Sequence, residues 1–511
     1  MRVCVVLLAS WLCWTSQALL VPLRPSPRTG ARCLRAAVEE LPLPPGKLGL
    51  PLLGDKTFPF TKTGSQYLEE QHLKWGPIFQ QRLLFTKCIV VTGADALRQL
   101  WLGEHNIVEA EVPAPFAPLL GEKGIFMTKG DAHKKLKTQL ARGFSPLAVG
   151  GYLPQMQSLA EEFFASRAKS GDSILGVATA KDFAFAIILE TVMGLPRSMW
   201  ASNDRISQLY RQCQAAMFAP PINLPGMTFR KALKARQEIL AELDKVLSSD
   251  EMAIKAEEGI EGKAKNVIAV LRNAVDETGE KLSSDQIKDI SFNMLDAGME
   301  TTGCTLAALL SALARDPVSM KALRDEQEVI IKKHGRQLTS VALQEMTFAD
   351  AAIKEILRNA SPSSDRMRSI TVIGVKKALK SFELGGYQIP AGYTIITNSA
   401  FLNQHDSRWE GESPESPKAP QKFCPMRWLS GTGSGSGSGS GSDGEFMPFA
   451  TGPRACIGSS LAIAELKVAL AVLSRDYSWE LLTADPNPGA GWKSDPFPAP
   501  SDGLPLRFKR M

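Results

Sequence analysis

Cys456 stands near the C-terminus in a pattern that suits a metal-bound thiolate. The segment reads Phe449-Ala-Thr-Gly452-Pro-Arg454-Ala-Cys456-Ile-Gly458, and an apolar stretch typical of a helix follows directly after it. The N-terminus of a helix favours a thiolate over a thiol. Glycine allows tight backbone turns, here at Gly452 and Gly458, that leave amide N–H groups free to bond the sulfur. The spacing therefore predicts that Cys456 is a thiolate ligand of a metal ion.

The residues around Cys456 favour iron in a haem group. A thiolate ligand pushes electron density onto haem iron and favours O–O cleavage, which a histidine ligand does less well. Arg454 has a forked guanidinium that can bond a haem propionate, and Phe449 is expected to pack beside the sulfur and exclude water. We therefore expect haem-thiolate chemistry at this loop.

A second motif, Gly298-Met-Glu300-Thr301-Thr302, lies within a predicted helix from about Asp285 to Asp316. Gly298 is expected to let the helix backbone approach the haem face. Oxygen activation needs protons, which a carboxylate can relay and a hydroxyl can pass on. We expect Glu300 to relay protons from solvent and Thr301 to hydrogen-bond the oxygen.

A third motif, Glu355-Ile-Leu-Arg358, lies on a predicted helix that begins at Thr347 and places the two charges on the same side, one turn apart. Such a pair alone is typical of a surface ion pair worth less than about 1 kcal/mol. A second arginine, Arg427, follows later in Pro425-Met-Arg427-Trp428.

Together these motifs resemble those of the cytochrome P450 family, and the resemblance runs from about Pro44 to the C-terminus. It implies a mainly α fold with small β-sheets, the cytochrome P450 fold. The implied activity is a monooxygenase that inserts one oxygen atom from O₂ into a C–H bond of a small hydrophobic substrate. Its cofactor is haem b, iron protoporphyrin IX, and its electrons come ultimately from NADPH through a reductase, either cytochrome P450 reductase or a ferredoxin.

The resemblance also assigns roles to individual residues. Cys456 is the axial ligand, and Glu355, Arg358 and Arg427 form a structural triad that holds the haem loop. The expected cofactor-binding residues are Phe449, Gly452, Arg454, Gly458, His133, Lys137 and Arg368. His133 and Lys137 replace the tryptophan and arginine of many relatives, as in the branch that hydroxylates retinoids and related terpenoids. Arg366 is the alternative to Arg368.

Two other classes of function fit a haem-thiolate loop. One is an isomerase or lyase that acts on a hydroperoxide without a reductase, and the other is a non-catalytic haem-binding protein. Neither needs the acid–alcohol pair of Glu300 and Thr301, so that pair favours the monooxygenase. The sequence leaves the substrate open among retinoids, terpenoids, sterols and fatty acids.

The chain divides into an N-terminal extension and one catalytic domain. Residues 1–23 are predicted to be a signal-anchor or signal peptide, 24–43 a basic, proline-rich linker, and 44–511 the catalytic domain, with a flexible Gly/Ser insertion at 431–444. Residues 3–23 carry no charge, and the arginines that follow outnumber Arg2, which predicts a catalytic domain on the cytosolic side of the endoplasmic reticulum membrane. The alternative is a signal peptide plus transit peptide that leads to a plastid or another organelle.

Composition agrees with one large folded domain. The chain has 511 residues, 44% of them hydrophobic, which suffices for a sizeable core. Its net charge of +6 is too diffuse to indicate nucleic acid binding, and its eight cysteines are scattered, so we expect free thiols. Alternating apolar residues bounded by glycines from Phe382 to Tyr393 predict a hairpin of short strands.

Overall fold

A computed structural model gives the fold. It describes residues 41–49, 65–83, 86–112, 116–169, 171–195, 205–217, 219–247, 266–276, 278–360, 374–405, 416, 419, 422–429, 446–482, 491–494 and 497–511. Several sequence predictions lie outside these residues: those for the segment 1–23, most of the linker 24–43, Arg366, Arg368 and the insertion 431–444.

Helices make up most of the described residues. In chain order they are α1 (Ser65–Trp75), α2 (Ala94–Leu102), α3 (Ala117–Leu120), α4 (Gly130–Gly143), α5 (Pro146–Lys169), α6 (Gly176–Ile187), α7 (Arg205–Met217), α8 (Thr228–Leu247), α9 (Val267–Asn273), α10 (Ser284–Arg315), α11 (Pro317–His334), α12 (Ser340–Glu345), α13 (Thr347–Arg358), α14 (Ala400–His405) and α15 (Ser459–Asp476). A π-helical turn, Ile188–Val192, continues α6, and a short 3₁₀ helix spans Pro425–Trp428.

The 32-residue helix α10 begins and ends where the sequence predicts. Ser283 Oγ accepts a hydrogen bond from the Gln286 N–H, and the Gln286 side chain accepts one from the Ser283 N–H, which is a capping box. At the other end Asp316 caps α11, whose first residue is Pro317. The predicted boundaries, Asp285 and Asp316, are therefore confirmed to within one residue.

The strands are short and form small sheets. They are β1 (Ile78–Leu83), β2 (Thr86–Val91), β3 (Val108–Ala110), β4 (Ile174–Leu175), β5 (Gly374–Ala378), β6 (Phe382–Leu384), β7 (Tyr387–Ile389), β8 (Thr394–Thr397), β9 (Tyr477–Leu481), β10 (Trp492–Ser494), β11 (Pro498–Pro500) and β12 (Pro505–Arg510). The sheets have the orders β1-β2-β8-β5-β3, β4-β12-β9, β10-β11 and β6-β7. Among the described ladders, β2 and β8 are the only strands that pair in parallel, and Cys88 lies opposite Thr394. The hairpin β6-β7 confirms the one predicted from the sequence.

The described residues fall into two compact units. One lies within Met1–Leu119, Gln212–Lys234 and Ile373–Asn398, and it contains the five-stranded sheet and the β6-β7 hairpin. The other lies within Leu120–Arg211, Ala235–Val372 and Ser399–Met511. It contains all three sequence motifs.

The helices that carry the three motifs pack directly on one another in the second unit. Helix α10 contacts both α13 and α15, and these two contact each other. The C-terminal half of α10 supplies the apolar core, because Leu306, Leu309, Leu310 and Leu313 are at most 1% exposed. Burial of several such side chains, each worth about 1.5–3 kcal/mol, fixes the relative positions of the motifs. A mainly α fold with small β-sheets is therefore confirmed.

Candidate active site

The loop before α15 turns sharply and presents Cys456. Gly452 has φ 75°, a left-handed conformation that favours glycine, so the predicted turn at this residue is confirmed. The Cys456 N–H donates to the Phe449 carbonyl oxygen at 2.9 Å, which closes the loop. Gly458, by contrast, has φ −87°, and a Cβ placed on it would meet no described atom within 4 Å. Its backbone turn therefore does not require glycine.

The Cys456 sulfur accepts hydrogen bonds from the backbone amides of Gly458 and Ser459 at the start of α15. Burial raises the pKa of the thiol above its ordinary value, although these bonds and the charge of Lys137 act in the opposite direction. The side chain is nevertheless accessible. Cys456 can thus meet a bound group at the start of α15.

Two cations hold this loop to the region around α4. Lys137 on α4 donates from Nζ to the carbonyl oxygens of Pro453 and Ala455, at 2.6 and 2.8 Å. Arg454 donates to the carbonyl oxygens of Ile125 (3.0 Å) and Thr128 (2.6 Å) in the segment before α4. Burial lowers the pKa of the Lys137 ammonium, the charge of Cys456 raises it and that of Arg454 lowers it further.

The other predicted propionate residue, His133, lies one turn before Lys137 on α4 and is 1% exposed. The structure thus brings Lys137, Arg454 and Cys456 together at one loop. Contact of His133, Lys137 or Arg454 with haem propionates stays a prediction.

Helix α10 has an accessible stretch in its buried middle. Ala297 is exposed and Thr301 is partly exposed, whereas Leu295, Met299 and Thr302 close to them on the helix are buried. Ala297 and Thr301 are one turn apart and therefore share a face. The Thr301 hydroxyl donates to the Ala297 carbonyl oxygen at 2.7 Å. This face, like Cys456, is open to a bound group.

Glu300 points to a different side of α10 and is 7% exposed. Its Oε2 lies 2.7 Å from Nζ of Lys181 on α6. Sequence reasoning missed Lys181, since it is 119 residues away in the chain.

Two glycines on α10 allow the close approach of α6. A Cβ on Gly298 would clash with the Ile188 side chain, and a Cβ on Gly303 would lie 2.8 Å from Cα of Lys181. Gly298 admits the π-helical turn in this way, and its approach to the haem face stays a prediction. Gly303 was visible in the sequence as a second glycine on α10, and glycines on a helix indicate the close approach of another helix.

A second carboxyl group on α10, that of Asp296, also escaped the sequence analysis. It is one turn before Glu300, and the Tyr210 hydroxyl donates to its Oδ1 at 3.4 Å. Burial, with a further contribution from the charge of Glu300, raises the pKa of Asp296 to about 6. The structure therefore places two carboxyl groups and one ammonium group on the inner side of α10 and α6.

Glu355, Arg358 and Arg427 meet as the sequence predicts. Arg358 donates to both carboxylate oxygens of Glu355, at 3.0 and 2.8 Å, and Arg427 Nε donates to Oε1 at 3.1 Å. Two further donors were not foreseen: Trp428 Nε1 at 2.9 Å and the Cys424 N–H at 3.1 Å. Burial alone raises the pKa of Glu355, but the two arginines and Trp428 outweigh it and hold the pKa below its ordinary value.

Every donor to Glu355 adds to a buried network, since Glu355 and Arg358 are 0% and Arg427 is 3% exposed. A buried carboxylate needs such saturation to be stable. The network connects α13 to the segment that precedes the Gly/Ser insertion. The three charged side chains are all buried, which suits the structural role that the sequence predicts for the triad.

The described cysteines Cys88, Cys213, Cys304, Cys424 and Cys456 are all free, which agrees with the expected free thiols. Within the described ranges no three His, Cys, Asp or Glu side chains form a cluster that could hold a metal ion.

Comparisons with known proteins agree with this arrangement. Cytochrome P450 26A1 of Xenopus laevis is 28% identical over 512 residues, which cover 98% of both chains. Abscisic acid 8'-hydroxylase 1 of Arabidopsis thaliana is 27% identical and covers 94% of each. Among solved structures, the retinoic acid bound cyanobacterial CYP120A1 aligns with a TM-score of 0.75 and 24% identity over 92% of this chain and 100% of its own. The family model for Cytochrome P450 matches residues 44–494. The chain therefore belongs to the cytochrome P450 family.

Proposed function

We propose that this chain hydroxylates a C–H bond of a retinoid or related terpenoid at a haem held by Cys456. As a cytochrome P450 it is a haem-dependent monooxygenase, which takes O₂ and electrons that come from NADPH through a reductase. The observation that carries the ligand assignment is the position of Cys456, accessible at the start of α15 while two backbone amides bond its sulfur.

The residues present fit a haem with a thiolate ligand. The sulfur is a soft donor, and its two amide hydrogen bonds are those that stabilise a thiolate and moderate its basicity. A second accessible stretch, Ala297 and Thr301 on α10, belongs to the same unit. The bound haem iron supplies oxygen activation and the oxidation of the substrate.

Protons reach the site through α10 in this proposal. Glu300 Oε2 pairs with Lys181 Nζ on the inner side of the helix, and the Lys181 side chain, 21% exposed, connects this carboxyl group to the solvent with which it exchanges protons. Thr301 Oγ1 then passes a proton on the accessible face of α10. The hydrogen bond from Thr301 to the Ala297 carbonyl fixes the hydroxyl rotamer and leaves the oxygen lone pairs free to accept.

The remaining residues position the loop and the cofactor. Phe449, Gly452, Arg454 and Gly458 shape the surroundings of Cys456, and His133, with Arg368 or Arg366, contributes propionate contacts. The triad of Glu355, Arg358 and Arg427 holds the polypeptide before the loop. All these roles follow from the family pattern together with the contacts described above.

The substrate assignment rests on relatives and on sequence resemblance. Among relatives with 27–28% identity are abscisic acid 8'-hydroxylases of Arabidopsis thaliana and Oryza sativa. Abscisic acid is a terpenoid acid, so a rigid apolar skeleton is the common chemistry. Sterols and fatty acids are the alternatives.

The substrate proposal is tested by titrating the purified holoenzyme with retinoic acid, abscisic acid, a sterol and a fatty acid. Displacement of the iron-bound water shifts the haem absorption band when a substrate binds. We expect the terpenoid acids to give saturable shifts, and NADPH consumption with a generic reductase to yield hydroxylated product. Absorption shifts with only the sterol or the fatty acid, and none with the terpenoid acids, would contradict the terpenoid assignment. Product formed from a hydroperoxide without NADPH would support an isomerase.

Membrane association through residues 1–23 is the second element of the proposal. Within the described part of the chain, no helix is both long and apolar enough to cross a membrane. The first unit exposes Ile222, Leu224 and Met227 between α7 and α8, and Lys231 and Lys234 are exposed close by on α8. Exposed apolar side chains beside basic residues suit an anionic lipid surface.

We propose the endoplasmic reticulum membrane with a cytosolic domain; an organelle reached through a transit peptide is the alternative. Carbonate extraction of membranes, with N-terminal sequencing of the mature protein, tests this. Retention in the membrane fraction with an intact N-terminus is expected. A mature protein that starts beyond residue 23 would contradict the anchor.

A further inference from the structure

The geometry points to Lys137 as a positioning residue of the thiolate loop: its ammonium ties the loop to α4 and supplies positive charge beside the Cys456 sulfur. This inference rests on the proposed function, in which Cys456 is the iron ligand. It differs from the propionate contact that the family pattern implies for this position.

Lys137 spans the backbone turn directly before Cys456. Its Nζ bonds the carbonyl oxygens of Pro453 (2.6 Å) and Ala455 (2.8 Å), which flank Arg454. Both distances are short for an ammonium–carbonyl bond, and both bonds are partly buried. Two carbonyls of the same turn are thereby held at a single point of α4.

The contact is reciprocal. Lys137 reaches from α4 to the loop, and Arg454 reaches from the loop to the carbonyl oxygens of Ile125 and Thr128, just before α4 begins. Four carbonyl oxygens and two cations thus join these segments in both directions. A carbonyl carries only a partial charge, so the bonds to Pro453 and Ala455 do not neutralise the Lys137 ammonium.

The surplus charge acts on the sulfur. Lys137 and Cys456 are electrostatically coupled, and the site is desolvated, which strengthens the interaction relative to water. A nearby cation favours the reduced state of the iron site, because reduction adds one negative charge.

A lysine suits this position better than an apolar residue of the same length. Its ammonium has three donors, two of which bond the loop. Methionine at position 137 would keep the packing of the stem and remove both the donors and the charge. Glutamine would keep an uncharged amide NH₂ with two N–H donors, and arginine would keep the charge with several donors.

The experiment compares full-length holoenzymes carrying Lys137→Met, Lys137→Gln and Lys137→Arg with the unaltered chain. Three readouts are taken: the haem reduction potential, the carbon monoxide difference spectrum and hydrogen–deuterium exchange of the loop amides. The control is Lys134→Met one turn earlier on α4, whose exposed ammonium pairs with Asp131 at 2.9 Å.

We expect Lys137→Met to shift the reduction potential to more negative values, to lower the fraction of thiolate-ligated haem several-fold because the loop is held less firmly, and to speed exchange at Ala455 and Cys456. Lys137→Gln should show the same shift in reduction potential, with loop amide exchange at a rate between those of Lys137→Met and the unaltered chain. Lys137→Arg should restore all three readouts. Lys134→Met should change none. If Lys137→Met does not fold, the glutamine and arginine variants still carry the comparison.

A propionate contact predicts a different outcome. Lys137→Met would then release haem faster while loop exchange and the thiolate spectrum stayed unchanged, and this result would overturn the inference. Failure of the proposed function is distinguishable, because the unaltered chain would then lack the thiolate spectrum altogether.

Discussion

Lys181 on α6 and Glu300 on α10 form an ion pair of 2.7 Å where Gly303 brings the two helices into contact. The Lys181 and Glu300 side chains are 21% and 9% exposed. A side chain at position 303 would push α6 away, since its Cβ would lie 2.8 Å from Cα of Lys181. The glycine and the ion pair are therefore parts of one arrangement that holds the Glu300 carboxylate between α10 and α6.

Replacing Lys181 with methionine leaves the Glu300 carboxylate largely buried without its partner. We expect a loss of about 2–4 kcal/mol in the free energy of unfolding, since a buried charge loses its partner, and a larger share of NADPH consumed without product. Urea denaturation and the ratio of NADPH to product measure the two effects. Lys321→Met is the matched control, because its pair with Asp325 is 76% and 55% exposed and should be worth less than about 1 kcal/mol. Equal losses from both variants would contradict the account.

Thr301→Ala should uncouple oxygen consumption from hydroxylation. Without the hydroxyl on the accessible face of α10, protons arrive at the wrong place, and peroxide should rise about tenfold relative to product. Thr302→Ala is the control, since Thr302 is next in the chain but 5% exposed on another face. Peroxide and product assays measure the ratio. Unchanged coupling in Thr301→Ala would remove this residue from proton delivery.

Asp296 makes stability depend on pH in a defined window. Its folded pKa is raised from 3.8 to about 6, so the folded state binds the proton more tightly than the unfolded state. The associated cost, up to about 3 kcal/mol, is absent below the unfolded pKa, develops as pH rises through the folded pKa and is constant above it. Asp296→Asn should therefore stabilise the protein at neutral pH but not at low pH.

The Asp296 prediction is measured by urea denaturation at several pH values between the two pKa values and above them. Glu190, on the π-helical turn, offers a contrast, because burial raises its pKa from 4.5 to about 7. The stability gained by Glu190→Gln should develop over a correspondingly higher pH range. A stability gain for Asp296→Asn that did not vary with pH would argue against a raised pKa.

The triad network predicts a graded series of losses. Trp428→Phe removes one hydrogen bond to Glu355, at 2.9 Å, and should cost about 1–3 kcal/mol because the acceptor is charged and buried. Arg427→Met removes a charge as well as bonds to Glu355 and to the Ala419 and Lys422 carbonyls, and should cost about 3–5 kcal/mol. Thermal and urea unfolding rank the variants. The reverse order would contradict the network as described.

Features fixed by neighbours in the chain were predictable from sequence. The capping box of Ser283 and Gln286, the end of α10 before Pro317 and the φ of Gly452 follow from local hydrogen bonding and backbone sterics. The triad was predictable too, through the family pattern, although its fourth side chain, Trp428, was not recognised. That residue was adjacent to Arg427 in the quoted motif.

Features fixed by helix packing were not predictable. Lys181 and Tyr210 meet α10 only because α6 and α7 pack against it, and no periodicity encodes that pairing. Lys137 was recognised as a site residue, yet its bonds to the loop carbonyls depend on how α4 packs beside the loop. The sequence pattern identified the chemically active residues, whereas packing determines which partners they have.

The central claim is that Cys456 ligates haem iron as a thiolate. The carbon monoxide difference spectrum of the reduced holoenzyme tests it most directly, with Cys456→Ser compared against Cys424→Ser. Cys424 takes part in the triad network through its backbone, whose N–H donates to Glu355 and whose carbonyl oxygen accepts from the Arg427 N–H, so its thiol serves as the control. We predict that the band typical of thiolate-ligated haem is present in the unaltered chain and in Cys424→Ser and is absent in Cys456→Ser. Persistence of that band in Cys456→Ser would contradict the account.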